Sequence, residues 1–238
     1  GWEHPMPYMP LYADAAKFFG QAEAVYSPTF MVGGSSAWNE EYFYQTYEVW
    51  KDEKLRRFTP WRILIPQTRR RMLRPETDYS FPLLALGLAD IVKHGGWGAI
   101  GSHGQLHGLG SHFEVWMAAA GMGEMGAIEV GTIHGAHFLG LEHELGSITE
   151  GKIADLLVLN SNPLDDIRNT TDIQLVIKNG IVYDADTLDE QWPNKTPFGD
   201  YYWVDEDALQ TDDRPTDYWD RADRTMPGSS RRKSGRVP

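Results

Sequence analysis

The 238-residue sequence contains no cysteine, which excludes disulfides and any zinc site built on thiolates. No apolar run approaches the roughly 18 residues of a membrane-spanning helix. Basic residues are scarce: 22 Lys+Arg face 34 Asp+Glu, a formal charge of -12. Phosphate is repelled by such a surface, so a general nucleic-acid binder is excluded. The opening decapeptide GWEHPMPYMP lacks the charged-then-apolar layout of a signal peptide. The Gly-rich run from Gly101 to Gly110 contains neither GxGxxG nor GxxxxGK[ST] and carries histidines in place of a lysine, so it is no phosphate loop. What remains is an ordinary globular mix, 41% hydrophobic and 24% charged.

Charge is unevenly distributed. Asp184 to Asp223 holds 13 acidic residues against three basic ones, and the tail from Arg224 holds five basic residues and no acidic one. Lys51 to Arg74 holds nine basic residues. These blocks read as solvated faces or tails, or as an acidic stretch paired with the basic middle stretch, within the chain or between copies.

Patterning gives a strand over Val25–Val32, a surface helix over Glu40–Lys54 and a helix over Phe81–His94, closed by Gly95-Gly96. A short strand follows over Trp97–Gly101 and delivers into Ser102-His103-Gly104. The next helix spans Ser111–Ala120, where Ser111 and Glu114 have capping-box spacing. A further helix spans Glu124–Leu139. Ile173–Tyr183, split by Asn179-Gly180, is a hairpin. Strands alternating with helices predict an α/β fold with a parallel sheet and functional groups on the loops after the strands. Antiparallel strands follow as a small β module.

Thr132-Ile133-His134-Gly135-Ala136, Leu145-Gly146-Ser147-Ile148, Gly151-Lys152-Ile153-Ala154-Asp155-Leu156 and Ile177-Lys178-Asn179-Gly180 occur in one order. This set resembles the C-terminal signature of the amidohydrolase superfamily. Ile100-Gly101-Ser102-His103-Gly104-Gln105, with Gly108-Leu109-Gly110 and His112-Phe113-Glu114, is similar to the imidazolonepropionase-like branch, in particular members joined to a TolB-like β-propeller. The likeness covers residues 1–185.

The resemblance implies the C-terminal part of a metal-dependent (β/α)8 barrel plus part of a small β-sandwich. Glu3-His4 would end strand six, Val25–Val32 would be strand seven and Trp97–Gly101 strand eight. Residues 1–140 are then barrel, 141–185 β-sandwich, and 186–238 an acidic extension and basic tail. A full barrel takes about 250 residues, so the other strands are expected from a companion polypeptide or N-terminal segment.

The implied cofactor is a divalent metal, zinc by preference, with His4 and His103 as ligands. A histidine directly after a strand points into the mouth of a barrel, and imidazole suits zinc; the plain alternative is a structural histidine. His103 stands where most of the superfamily has an aspartate. It is the expected catalytic residue, because imidazole ligates metal or accepts a proton near neutral pH. His107, His112 and Arg71 are candidate substrate-binding residues. For the two histidines a hydrogen-bonding role is preferred, and for the arginines Arg69, Arg70, Arg71 and Arg74 an ion pair with the acidic stretch. Glu114 is expected to cap its helix, and His134, His137 and His143 to pack or face solvent. Trp38, Tyr42, Phe43, Tyr44 and Tyr47 either wall a pocket or form a helix packing face.

The resemblance thus implies a hydrolase of C–N bonds, acting on a small molecule or peptide, as a homo- or hetero-oligomer in the periplasm or outside the cell. The alternative is a non-catalytic scaffold or binding subunit with a degenerate metal site.

Overall fold

A computed structural model describes residues 1–7, 10–34, 38–68, 73–199 and 201. Three short strands, β1 (Trp2–Glu3), β2 (Val25–Ser27) and β3 (Trp97–Gly98), form a parallel sheet in that order. Their registers place Trp2 beside Tyr26 and Tyr26 beside Gly98. All three run the same way, so all three release their following loops at one end of the sheet.

Helices α1 (Ala13–Gln21) and α5 (Phe81–Lys93) pack together as the connections into β2 and β3. Helix α5 forms where the sequence predicts it. Pro82 sits in its first turn, Leu84, Leu88 and Ile91 share one buried stripe, and Gly95 stops it with φ 100°. Helix α6 (Leu109–Glu129) crosses α5 at backbone contact. A Cβ on Gly121 would lie 2.3 Å from the carbonyl carbon of Ala85, so only glycine allows this approach.

The second sheet is antiparallel: β4 (Leu156–Leu159), β5 (Ile173–Lys178), β6 (Ile181–Asp184) and β7 (Glu190–Trp192), neighbours in that order. Asn179 and Gly180 both have positive φ, 51° and 79°, as the tight β5–β6 turn requires.

Several elements differ from the sequence patterning. The apolar run Val25–Val32 is strand only to Ser27. Thr29 turns left-handed at φ 50° and Phe30–Val32 is a single 3₁₀ turn. The helix expected over Glu40–Lys54 stops as α2 (Glu40–Thr46), because Tyr47 is extended. The two helices expected over Ser111–Ala120 and Glu124–Leu139 run together through a kink at Gly123, φ 70°. A π-helical turn (Val130–His134) and α7 (Gly135–Phe138) then carry the chain to Gly140.

Among the described residues, 49–68 and 201 belong to a second unit, separate from the one that holds both sheets. In it α3 (Glu53–Phe58) is capped by Asp52, which accepts the Leu55 N–H at 2.9 Å, and α4 (Trp61–Thr68) contains Pro66. Arg69, Arg70, Arg71, the basic tail and most of the acidic stretch lie outside the described residues. Their expected roles, ion pairing included, lie there too. Among the described residues no helix is long and apolar enough to cross a membrane.

Candidate active site

The loops leaving the three parallel strands are built on left-handed residues. His4 after β1 has φ 71°, Thr29 after β2 has φ 50°, and His103 after β3 has φ 56°. Left-handed backbone is uncommon in non-glycine residues, and Asn, Asp and His adopt it most readily. Two of the three positions here are histidines. Their imidazoles meet edge to face, with ring centroids 5.6 Å apart and planes at 63°, and both residues are exposed. The fold thus brings His4 and His103 together from strands separated by almost a hundred residues.

Beneath them the backbone is locked by buried side chains. The Tyr26 hydroxyl accepts the Met6 N–H at 3.2 Å, which fixes the chain just past His4, and burial raises the phenol above its ordinary range. Glu114, wholly buried in α6, accepts the N–H of Phe30 at 3.1 Å and of Met31 at 2.7 Å, and also binds the N–H of Gly101. The expectation that Glu114 caps its own helix is therefore corrected. Helix α6 starts two residues before Ser111, at Leu109, with no side-chain cap, and the carboxylate points across to β2 and β3.

Burial pushes the Glu114 carboxyl up from 4.5 to about 7, against the pull of its Met31, Phe30 and Gly101 bonds. Between those two values the folded chain holds a proton that the unfolded chain has released. Stability is therefore expected to fall as pH rises through this window, by on the order of 3 kcal/mol, and to level off above it. Urea unfolding of the chain and of Glu114→Gln across the window checks this; the variant should lack the slope. A wild-type curve that instead rises with pH would contradict it.

The remaining candidates lie elsewhere. His107 is exposed in the same loop, its ring 4.0 Å from where a Cβ on Gly104 would be. Buried Leu106 anchors that loop. His112 faces the β module, where its Nδ1 lies 3.1 Å from the Thr170 hydroxyl, which also accepts the Trp116 indole N–H at 2.9 Å. His112 also lines an apolar cavity of about 700 Å³ between the start of α6 and sheet β4–β5, with Ile100, Val115, Ile153, Leu157 and Val176. His134 and His137 pack against Trp97, with ring centroids 5.0 and 3.9 Å away, and burial lowers the His134 pKa. Tyr42 packs on Tyr79 and Phe81, and Phe43 on Phe113, so these aromatics form a packing face.

Among the described residues no group of three or more His, Asp or Glu could hold a metal ion. The His4–His103 pair provides two imidazoles of the three protein ligands usual in a catalytic zinc site.

Residues 89–182, which contain β3, His103, Glu114 and most of the β module, match the model of the amidohydrolase family. Adenine deaminase 4 of Rhizobium meliloti (strain 1021) is 42% identical over 64 residues, which is 27% of this chain and 10% of that protein. A solved prolidase complexed with N-methylphosphonate-L-proline aligns at 22% identity with TM-score 0.50, over 76% of this chain and 39% of that one. A Xaa-Pro dipeptidase with methionine bound in the active site aligns at 25% identity with TM-score 0.47, over 74% of this chain and 38% of that one. The chain therefore spans a tenth of the curated relative and about two fifths of these structures. The likeness to the prolidase supports the α/β fold.

Proposed function

We propose that this chain is the C-terminal portion of a metal-dependent amidohydrolase that breaks C–N bonds, completed by a barrel segment beyond these residues. In this reading β1, β2 and β3 are strands six, seven and eight, residues 1–140 belong to the barrel, 141–185 to a β-sandwich, and 186–238 to an extension. The observation that carries it is the meeting of His4 and His103 at the shared exit of three parallel strands. Two further observations support the companion segment. Neither outer edge of the three-stranded sheet has a partner strand among the described residues. Ile148 (90% exposed) and Leu157 (53% exposed) lie beside the apolar cavity, large apolar side chains left open to water.

His4 and His103 would hold the ion, zinc by its match to imidazole, with further ligands from the companion segment. When bound, a divalent ion polarises the scissile carbonyl and lowers the pKa of water. His103 would also accept a proton at one of its ring nitrogens and pass it to the leaving nitrogen. The substrate is an amide, cyclic amide or short peptide, oriented with the help of His107 and Arg71. The sequence likeness to the propeller-linked branch supports a periplasmic or secreted setting and an oligomer.

The test is the metal content of the completed protein. Elemental analysis is expected to give zinc or a similar ion in stoichiometric amount. The His4→Ala and His103→Ala variants should each lose most of it. A completed protein that folds without metal would leave the alternative, a non-catalytic amidohydrolase-like scaffold.

A further inference from the structure

The expected role of Glu114 was local, and its actual partners are 83 and 84 residues away in sequence. Its side chain is wholly buried yet carries two oxygens, each of which needs donors to offset the loss of water. The donors are all main-chain: Phe30 and Met31 from the turn after β2, and Gly101 from the loop after β3. Both carboxyl oxygens carry acceptor lone pairs, so the three N–H groups find acceptors on them.

The same turn is gripped from its other side. Asn39, also wholly buried, donates its amide N–H to the Phe30 carbonyl at 2.9 Å and accepts the Ser80 N–H at 2.9 Å. The 3₁₀ turn after β2 is thus pinned between two buried polar side chains. Gly101 in turn packs beside Ser27 and Thr29, so a Cβ there would stand 3.2 Å from the Ser27 hydroxyl. His103 follows Gly101 by two residues, so its backbone position is set close to the point where Glu114 holds the loop.

We propose that Glu114 is the positioning residue of the mouth: its carboxylate clamps the exit of β2 to the exit of β3 and thereby holds His103 facing His4. This deepens the reading of the His4–His103 pair as the site. A loop joined only by its covalent ends explores many positions, whereas one tied through Gly101 to a helix in the core is held close to a single geometry. The clamp accounts for how two exposed imidazoles on left-handed, strained residues come to face each other.

The experiment compares the metal-free chain with Glu114→Gln and Glu114→Asp by NMR and amide exchange. Gln presents an NH₂ to one of the three donors, and Asp withdraws the charge by one methylene. In Glu114→Gln the amides of Phe30, Met31 and Gly101 are expected to exchange about tenfold faster or more. The imidazole resonances of His4 and His103, assigned through His4→Asn and His103→Asn, should shift, while those of His134 and His143 stay in place. Glu114→Asp should show a weaker form of the same pattern. Faster exchange with the His4 and His103 resonances unmoved would make Glu114 a packing residue and overturn the proposal. Should neither variant fold, the wild type decides: the three amides must exchange with one common opening, and separate openings overturn the clamp. No metal enters this measurement, so a completed protein that carries no ion would sink the hydrolase reading and leave the clamp standing.

Discussion

Replacing Phe113 by alanine is expected to lower the unfolding free energy by about 3–5 kcal/mol, the range for truncating a fully enclosed phenylalanine. The ring has no exposed surface and stacks on Phe43, with centroids 4.1 Å apart and planes at 20°. Trp116 lies 5.2 Å and Tyr47 6.4 Å from it, completing an aromatic cluster that joins α6 to the segment after β2. Well-placed aromatic pairs contribute about 0.5–1.5 kcal/mol beyond their buried area, so the upper half of the range is the better expectation. Collapse into the space is hindered because the cluster is walled by rigid rings. The adjacent Glu114 is bonded on the same helix turn, which opposes any shift of α6. Urea unfolding checks the value, with Ile148→Ala as control. That side chain is 90% exposed and its loss should stay within about 0.5 kcal/mol. A Phe113→Ala midpoint as small in shift as the control would mean that the cluster does not hold these elements together.

The same cluster shows what the sequence carried openly and what it did not. Local signals are read directly: the early proline of α5, the glycines at its end and Asn179-Gly180 in the hairpin. Each acts over a few residues, so its physics is contained in the string. The strand over Val25–Val32 was overlong because apolar, β-branched composition does not report the left-handed Thr29 or the turn that Glu114 and Asn39 hold in place. The kink at Gly123 and the π-helical turn likewise depend on packing, not on periodicity.

Site residues divide along the same line. His4 and His103 were singled out through the family resemblance, which expects site residues in the loops after parallel strands; the structure places His4 directly after β1 and His103 five residues after β3. Glu114 was not, since Ser-x-x-Glu spacing matches a capping box and two of its donors, Phe30 and Met31, lie more than eighty residues upstream. A fully apolar helix face interrupted by one carboxylate, between Phe113 and Val115, was the available signal. The hydrogen-bonding role preferred for His112 has its partner in Thr170, which no local pattern names because it lies 58 residues downstream.

His103→Ala in the completed protein is expected to reduce kcat by about 10²–10⁴, the usual contribution of a positioned proton-transfer group, with a smaller change in KM. His103 lies in the loop after β3, where its ring faces that of His4, and it stands where the family resemblance expects an aspartate. In the proposed reading alanine removes both a ligand and a proton acceptor, so metal content should fall along with kcat. His103→Asp separates the two roles. A carboxylate supplies the oxygen ligand that the resemblance expects at this position, so metal content should recover whether or not turnover does. His143→Ala is the control, because that ring is exposed and lies 4.0 Å from the Glu142 carboxylate, away from the His4–His103 pair. His112→Ala should lower stability through the lost Thr170 contact and leave KM unchanged. Full turnover in His103→Ala, with metal still bound, would remove His103 from the chemistry and move the proton acceptor to the companion segment.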